Sequence, residues 1–295
     1  MFRPGRRGEL PGHDAADEAG ISSRYISERE EKMSVLGAIR RTLRSQLRLV
    51  ILLGTALEYC ARFFARRARG PLSPQQRALW LHDSCRTGLR RLQIPVRAQG
   101  TFPARGLLVS NHLSYLDILV YSSLSPCVFV SKKEVRSWPI FGPMAVMAGT
   151  VFIDRSRSAD ARRVNSEMQH ALASGAVVVL FPEGTSSDGT TVLPFRPALF
   201  EGAIGAGESV TPAHLCYEVS DGTPETDVCY WGSMTFFPHL FRLLSRKGVR
   251  ATIRFAPTAL KFDDRKFAAQ ETHQLVLDLG QVLPAKVPEP LRASQ

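Results

Sequence analysis

The sequence predicts an α/β fold: a mostly parallel central sheet flanked by helices, preceded by an N-terminal amphipathic helical segment suited to a membrane interface. Three observations predict it. Beyond Pro95, short apolar, β-branched runs alternate with helical stretches, the pattern of strands buried on both faces and joined by crossover helices. A chain of 295 residues with 44% hydrophobic content can bury one large core with appendages,. Upstream, residues 40–69 concentrate arginine around an apolar centre.

In chain order, residues 1–33 contain Arg3, Arg6, Arg7 and several acids, but no apolar run of seven or more. They lack the apolar stretch of a secretory signal and read as a poorly ordered tail. Residues 34–93 read as an N-terminal helical, membrane-interface segment. Eight arginines (Arg40, Arg41, Arg44, Arg48, Arg62, Arg66, Arg67, Arg69) flank the apolar run 49–57, with Glu58 as the one acid. Nine apolar residues fall short of the roughly 20 that span a bilayer, so the expectation is a helix lying on an anionic surface, with an ordinary core helix as the alternative,. A second helix should start at Ser73-Pro74, where Ser caps and Pro fits the first turn.

The α/β domain is assigned to residues 94–284 and a C-terminal tail to 285–295. Strands are expected at 106–110, 127–131, 150–153, 176–181 and 250–255. Chemistry in such folds sits at the carboxyl ends of strands. Polar segments follow three of these runs: Asn111-His112, Asp154-Arg155 and Pro182-Glu183-Gly184-Thr185.

The net charge of +11 favours negatively charged partners: nucleic acid, anionic lipid surfaces or phosphorylated substrates,. No aromatic-and-basic signature of an RNA-binding module accompanies the arginines, so no nucleic acid is expected. Five scattered cysteines without a C-x-x-C spacing fit reduced thiols rather than a disulfide framework or zinc site,.

The segment Asn111-His112-Leu113-Ser114-Tyr115-Leu116-Asp117 is the candidate catalytic block. Residues five apart lie about 140° apart on a helix, so His112 and Asp117 can meet only across a turn. Ser114 followed by Asp117 supplies one in capping-box fashion, leaving His112 in the preceding loop. Asp117 could then fix the imidazole tautomer so that the other nitrogen takes a proton from a hydroxyl. Taken alone, the spacing fits a plain capping turn equally well.

Further blocks follow: Lys133-Glu134 with Pro139-Ile140-Phe141-Gly142, then Gly149-Thr150-Val151-Phe152-Ile153-Asp154-Arg155, then Phe181-Pro182-Glu183-Gly184-Thr185, then Val210-Thr211-Pro212. In content and order they resemble the glycerolipid acyltransferases with an N-H-x-x-x-x-D block, particularly the 1-acyl-sn-glycerol-3-phosphate acyltransferases, over roughly residues 90–260. The resemblance implies His112 and Asp117 as the catalytic pair. Asn111, Lys133, Arg155, Glu183, Gly184 and Thr185 would bind substrate.

Each binding assignment has a plain counterpart. Arg155 can grip phosphate in a bidentate fork or pair with Asp154 or Asp160. Lys133 competes with Lys132. The turn 181–185 can aim amides at a ligand with Glu183 orienting an acceptor hydroxyl, or simply end a strand. One departure matters: the family's third block often continues Gly-Thr-Arg-Ser, whereas here Ser186 follows Thr185. Phosphate binding would then rest on Arg155, Lys133 or Arg196.

The expected reaction moves an acyl chain from acyl-CoA or acyl-carrier protein to the hydroxyl of a lysophospholipid, 1-acyl-sn-glycerol-3-phosphate first and a lyso-ornithine lipid as the alternative. No G-x-S-x-G elbow is present and no Cys occupies a motif block, so no acyl-enzyme is expected, nor a metal or resident cofactor,. The expected location is the cytoplasmic face of the membrane, peripheral or monotopic. Rival readings are a non-catalytic basic surface-binding protein and a thioesterase or lipase.

Overall fold

The computed structural model describes residues 15–154 and 158–281, with side chains described for 35–154 and 163–281. Arg155 and the tail 285–295 lie outside the described residues. The chain divides into two units, residues 1–44 and 45–295, and the contacts and the site described below lie within the second. In order, the elements are α1 (Ala15–Arg67), α2 (Pro74–Leu92), β1 (Val96–Gln99), β2 (Gly106–Ser110), α3 (Leu116–Leu124), β3 (Val128–Lys132), α4 (Phe141–Ala148), β4 (Val151–Ile153), α5 (Ser158–Ala173), β5 (Val177–Leu180), α6 (Glu201–Gly205), β6 (Val210–Glu218), α7 (Pro224–Asp227), α8 (Phe236–Ser245), β7 (Arg250–Phe255) and α9 (Arg265–Gln281). The helix α1 thus begins at Ala15, within the segment read from the sequence as a tail.

The seven strands form one sheet in the order β1-β7-β6-β2-β5-β3-β4. Five are parallel; β7 runs antiparallel to β6, and β1 pairs parallel with β7 at the edge. Alternation along each strand divides the core in two. Leu108 and Val179 face the layer of α1, α2, α3, α4 and α8, while Leu107, Val109, Val178 and Leu180 face α5, α6 and α9. The helix α2 begins as the sequence predicts: Ser73 accepts the Gln76 N–H, Gln76 accepts the Ser73 N–H, and Pro74 occupies the first turn. Trp80 fastens α2 to α1, donating its indole N–H to the Tyr59 carbonyl at 2.8 Å and packing edge-on against Phe63.

The placement that matters for chemistry is the β2/β5 pair, whose register runs from Gly106–Val177 to Val109–Leu180. Because the two strands are parallel and in step, the loops after them emerge side by side. Asn111-His112 and Pro182-Glu183-Gly184 are thereby brought together from 70 positions apart.

Candidate active site

His112 sits in the loop between β2 and α3, half-buried, and is held at four points. Its Nδ1 lies 2.7 Å from Asp117 Oδ2. Its ring stacks on Phe181 at 4.3 Å between centroids and 12° between planes. Its backbone N–H donates to Glu183 Oε1 at 3.0 Å, and its carbonyl accepts the Ser187 N–H at 2.9 Å. Asp117 is fully buried, and its Oδ2 also accepts the N–H groups of Leu113 and Ser114 at 2.7 and 3.0 Å. An oxygen already receiving two amide protons acts as an acceptor, so the imidazole carries its hydrogen on Nδ1. Nε2 is then the nitrogen left to face the cavity that His112 lines.

The turn joining the pair differs from the capping box read from the sequence. The helix α3 starts at Leu116 with Tyr115 at its N-cap, and no side chain caps it. Among the described residues Ser114 Oγ has no hydrogen-bond partner, whereas the Asp117 carboxylate reaches back to two amides of the turn. Only the acid's half of the box forms. The physical reason is that Asp117 lies in the helix's first turn, where free N–H groups and the helix dipole favour a carboxylate. A partner the sequence does not reveal completes it: Tyr217 of β6 donates its hydroxyl to Asp117 Oδ1 at 2.7 Å. Burial, followed by the Asp117 charge, pushes the Tyr217 hydroxyl well above the usual tyrosine range, which keeps it a donor,.

The predicted substrate residues divide. Asn111 is 3% exposed and its amide is committed to the sheet, donating to the Leu215 carbonyl at 2.9 Å and accepting the Leu215 N–H at 2.8 Å. Glu183 is also 3% exposed; its Oε1 accepts the His112 N–H, its Oε2 is buried without a hydrogen-bond partner among the described residues, and burial pushes the carboxyl up to about 8. Both therefore hold the loops of the site in place. Gly184 takes φ +75°, a conformation that suits glycine, and its N–H closes the turn onto the Phe181 carbonyl at 3.1 Å,. Thr185 and Ser186 follow at the cavity rim, and no protein acceptor receives their amides among the described residues. Lys133 is ion-paired with Asp154 at 2.7 Å, tying the ends of β3 and β4.

An apolar cavity opens beside His112. Its wall comes from Leu52 of α1, Leu81 and Cys85 of α2, Phe129 of β3, and Phe141, Met144 and Ala148 of α4. Its polar rim comprises His112, Thr185, Ser186 and Tyr230. Tyr115 centres an aromatic cluster at one side, 5.3–6.4 Å from the rings of Trp138, Phe141, Tyr230, Phe236 and His239, and its hydroxyl lies 3.0 Å from His239 Nδ1. Tyr230 is a second rim residue that no motif marks. It enters because its N–H donates to the Leu113 carbonyl at 2.8 Å and its carbonyl accepts the Ser186 hydroxyl.

An imidazole oriented by a buried carboxylate at the end of parallel strands, beside an apolar cavity, fits one class: an α/β acyltransferase. Residues 93–215 match the family model described as Acyltransferase. The lyso-ornithine lipid O-acyltransferase of Pseudomonas aeruginosa is 34% identical over 210 residues, 70% of this chain and 78% of that protein. The 1-acyl-sn-glycerol-3-phosphate acyltransferase of Neisseria gonorrhoeae is 36% identical over 153 residues, 52% of this chain and 60% of that protein. The chain belongs to the lysophospholipid acyltransferase family. Its fold is that of the 1-acyl-sn-glycerophosphate acyltransferase of Thermotoga maritima, whose crystal structure superposes with a TM-score of 0.57 at 18% identity, covering 83% of this chain and 100% of that one.

Proposed function

We propose that the protein transfers a fatty acyl chain from an acyl thioester, CoA or acyl-carrier protein, directly to the hydroxyl of a lysolipid, with a lyso-ornithine lipid as the acceptor. The observation that carries the mechanism is the saturated acceptor Oδ2 of Asp117, which leaves His112 with a hydrogen on Nδ1 and a lone pair on Nε2. Nε2 takes the proton of the acceptor hydroxyl as its oxygen attacks the thioester carbonyl. The tetrahedral oxyanion is met by the amides of Thr185 and Ser186, since that of Gly184 is committed to Phe181,. Collapse breaks the C–S bond, and the imidazolium returns its proton to the thiolate. The acylated lipid and a free thiol leave, and no metal, cofactor or acyl-enzyme enters the scheme.

The acceptor reading rests on position 186. A serine there, its hydroxyl turned to the Tyr230 carbonyl, offers no cation for a phosphate. The similarity to the Pseudomonas aeruginosa protein, over 78% of its length, supports the same choice. The second reading is 1-acyl-sn-glycerol-3-phosphate, supported by the similarity to the Neisseria protein. It would place phosphate on Arg155, Lys133 or Arg196, and Lys133 would first have to release Asp154.

The site works at a lipid surface. From residue 45 onward α1 exposes Leu47, Val50, Leu57 and Phe64, each more than 60% accessible, with Arg62, Arg66 and Arg67 on the same helix. Among the described residues no helix is long and apolar enough to cross a membrane. The exposed apolar residues and arginines of α1 support attachment to an anionic lipid surface, and we read the cytoplasmic face of the membrane as its place.

The test is acyl transfer by the purified protein over a panel of lysolipids with and without headgroup phosphate. Transfer is expected to be fastest to the lyso-ornithine lipid; exclusive use of the phosphate-bearing acceptor would overturn that assignment. His112→Ala is expected to lower kcat by about 10²–10⁴-fold. Undiminished transfer by that variant would remove His112 from the mechanism.

A further inference from the structure

The helix α8 carries apolar residues on its outer as well as its inner face. Its inward positions carry Leu240, Leu243 and Leu244 together with His239, which is 3% exposed and bonded to Tyr115. Its outward positions carry Phe237 and Phe241, one turn apart and 51% and 42% exposed. Trp231, 39% exposed, precedes them in the connecting loop, its indole N–H tied to the Glu225 carbonyl at 3.0 Å. A helix apolar on both faces belongs in an apolar surrounding, and nothing in this chain covers the outer face among the described residues,.

We infer that Trp231, Phe237 and Phe241 form a second lipid-contacting surface that seats the cavity mouth on an anionic bilayer. Three observations choose the bilayer over a protein partner. Residues 228–262 contain no Asp or Glu, yet carry Arg242, Arg246, Lys247, Arg250, Arg254 and Lys261. Arg246 and Arg250 are spent on Asp227 and Glu218, while Arg242, which also donates to the Thr226 carbonyl, stays exposed next to Phe241 in α8 and Lys247 stays exposed just past its end. Trp and Phe backed by exposed cations are the composition of an interfacial lipid contact.

The surface also lies on a helix that contacts α1. Arg48 of α1 donates to the carbonyls of Leu244 and Arg246 at the end of α8, so the two exposed apolar faces belong to neighbouring helices. Finally, the surface connects to the cavity. Phe236, next to Phe237, packs on Phe141 at 5.8 Å, and Tyr230, next to Trp231, packs on Trp138 at 5.7 Å. The surface thus adjoins the aromatic cluster beside the cavity, while Trp231, Phe237 and Phe241 themselves do not line it. This inference rests on the lysolipid reading above for its purpose, but the binding it predicts is measured separately.

The experiment uses the full chain and vesicles of phosphatidylglycerol and phosphatidylcholine, compared with phosphatidylcholine alone. Trp231→Ser/Phe237→Ser/Phe241→Ser should weaken binding to the anionic vesicles by about tenfold or more, as apolar contact area is lost. In vesicles with brominated acyl chains, tryptophan fluorescence should be quenched, and Trp231→Phe should lose most of that quenching although Trp80 and Trp138 remain. Transfer to an acceptor dispersed in detergent should be unchanged in the triple variant, which also reports that it folds. Unaltered vesicle binding and quenching would overturn the inference. So would a wild-type dimer that the triple variant dissolves while vesicle binding persists. Failure of the wild-type protein to acylate any dispersed lysolipid would instead count against the acceptor reading and leave the binding result standing.

Discussion

Asp117 receives four hydrogen bonds on two oxygens, and only three of the donors lie within its own turn: His112, Leu113 and Ser114. The fourth, Tyr217, lies 100 positions away in β6. The pair His112–Asp117 was legible because its members and the turn between them share six consecutive residues. Tyr217 was not, since a tyrosine in an apolar stretch looks the same whether it packs or donates. Glu183 and Asn111 stand out in the sequence for their polarity; in the fold Glu183 accepts the His112 amide and the Asn111 side chain bonds to the Leu215 backbone of β6. Replacing Tyr217 by Phe removes the one donor recorded for Asp117 Oδ1, at a cost of about 1–3 kcal/mol in stability. It also frees the carboxylate to rotate away from His112. A loss of about tenfold in kcat/KM, equivalent to about 1.4 kcal/mol in the barrier, is expected alongside a lower Tm. Unchanged turnover in a destabilised Tyr217→Phe protein would show that the backbone donors suffice to hold Asp117.

At the scale of elements, the five expected strands formed because continuous β-branched runs bounded by turn residues are what a doubly covered parallel strand requires,. The two unforeseen strands fail that rule for different reasons. β1 is four residues long with three exposed, so it carries no apolar run. β6 contains Pro212, which ordinarily argues against a central strand. It is tolerated because the Pro212 carbonyl bonds to the Ala256 N–H, on the side of β7, and the regular ladder with β7 starts one residue later at Ala213. The block 139–142, noticed only as part of a resemblance, also has a local cause. Ile140 holds φ +66° and ψ −59° in a three-residue turn closed by the Phe141 N–H on the Pro139 carbonyl at 2.7 Å,. The chain after it passes so close to its own past that a Cβ on Gly142 would lie 2.3 Å from the Arg136 carbonyl oxygen. Gly142→Ala should therefore displace the start of α4, which walls the cavity, costing about 1–3 kcal/mol. Thermal unfolding measures the loss, and a Tm within a degree of the wild type would show that the turn can yield.

At the scale of the whole molecule, the buried ionisable groups set opposite pH slopes, and their sum makes a definite prediction. Burial lowers both His214 and His239 from 6.5 to about 4, with the charges of Arg254 and Arg242 respectively adding to it. Each therefore contributes stability above pH 6.5 that is lost as pH falls toward 4, because the unfolded chain takes up protons the native histidines refuse. Glu183 acts the other way. Raised from 4.5 to about 8, mainly by burial, it contributes stability below pH 4.5 that is lost as pH rises through 8,. Between about pH 4.5 and 6.5 the two histidines outweigh the one glutamate, so stability rises with pH. Between about 6.5 and 8 the glutamate acts alone, and stability falls by about 2 kcal/mol. Urea unfolding from pH 4.5 to 8.5 should thus show a maximum near pH 6.5. In Glu183→Gln, which keeps an acceptor for the His112 amide without a titrating proton, the fall above the maximum should vanish while the acid limb remains. A wild-type profile that climbs steadily to pH 8 would mean that Glu183 is ionised within the fold, its charge held by the His112 amide.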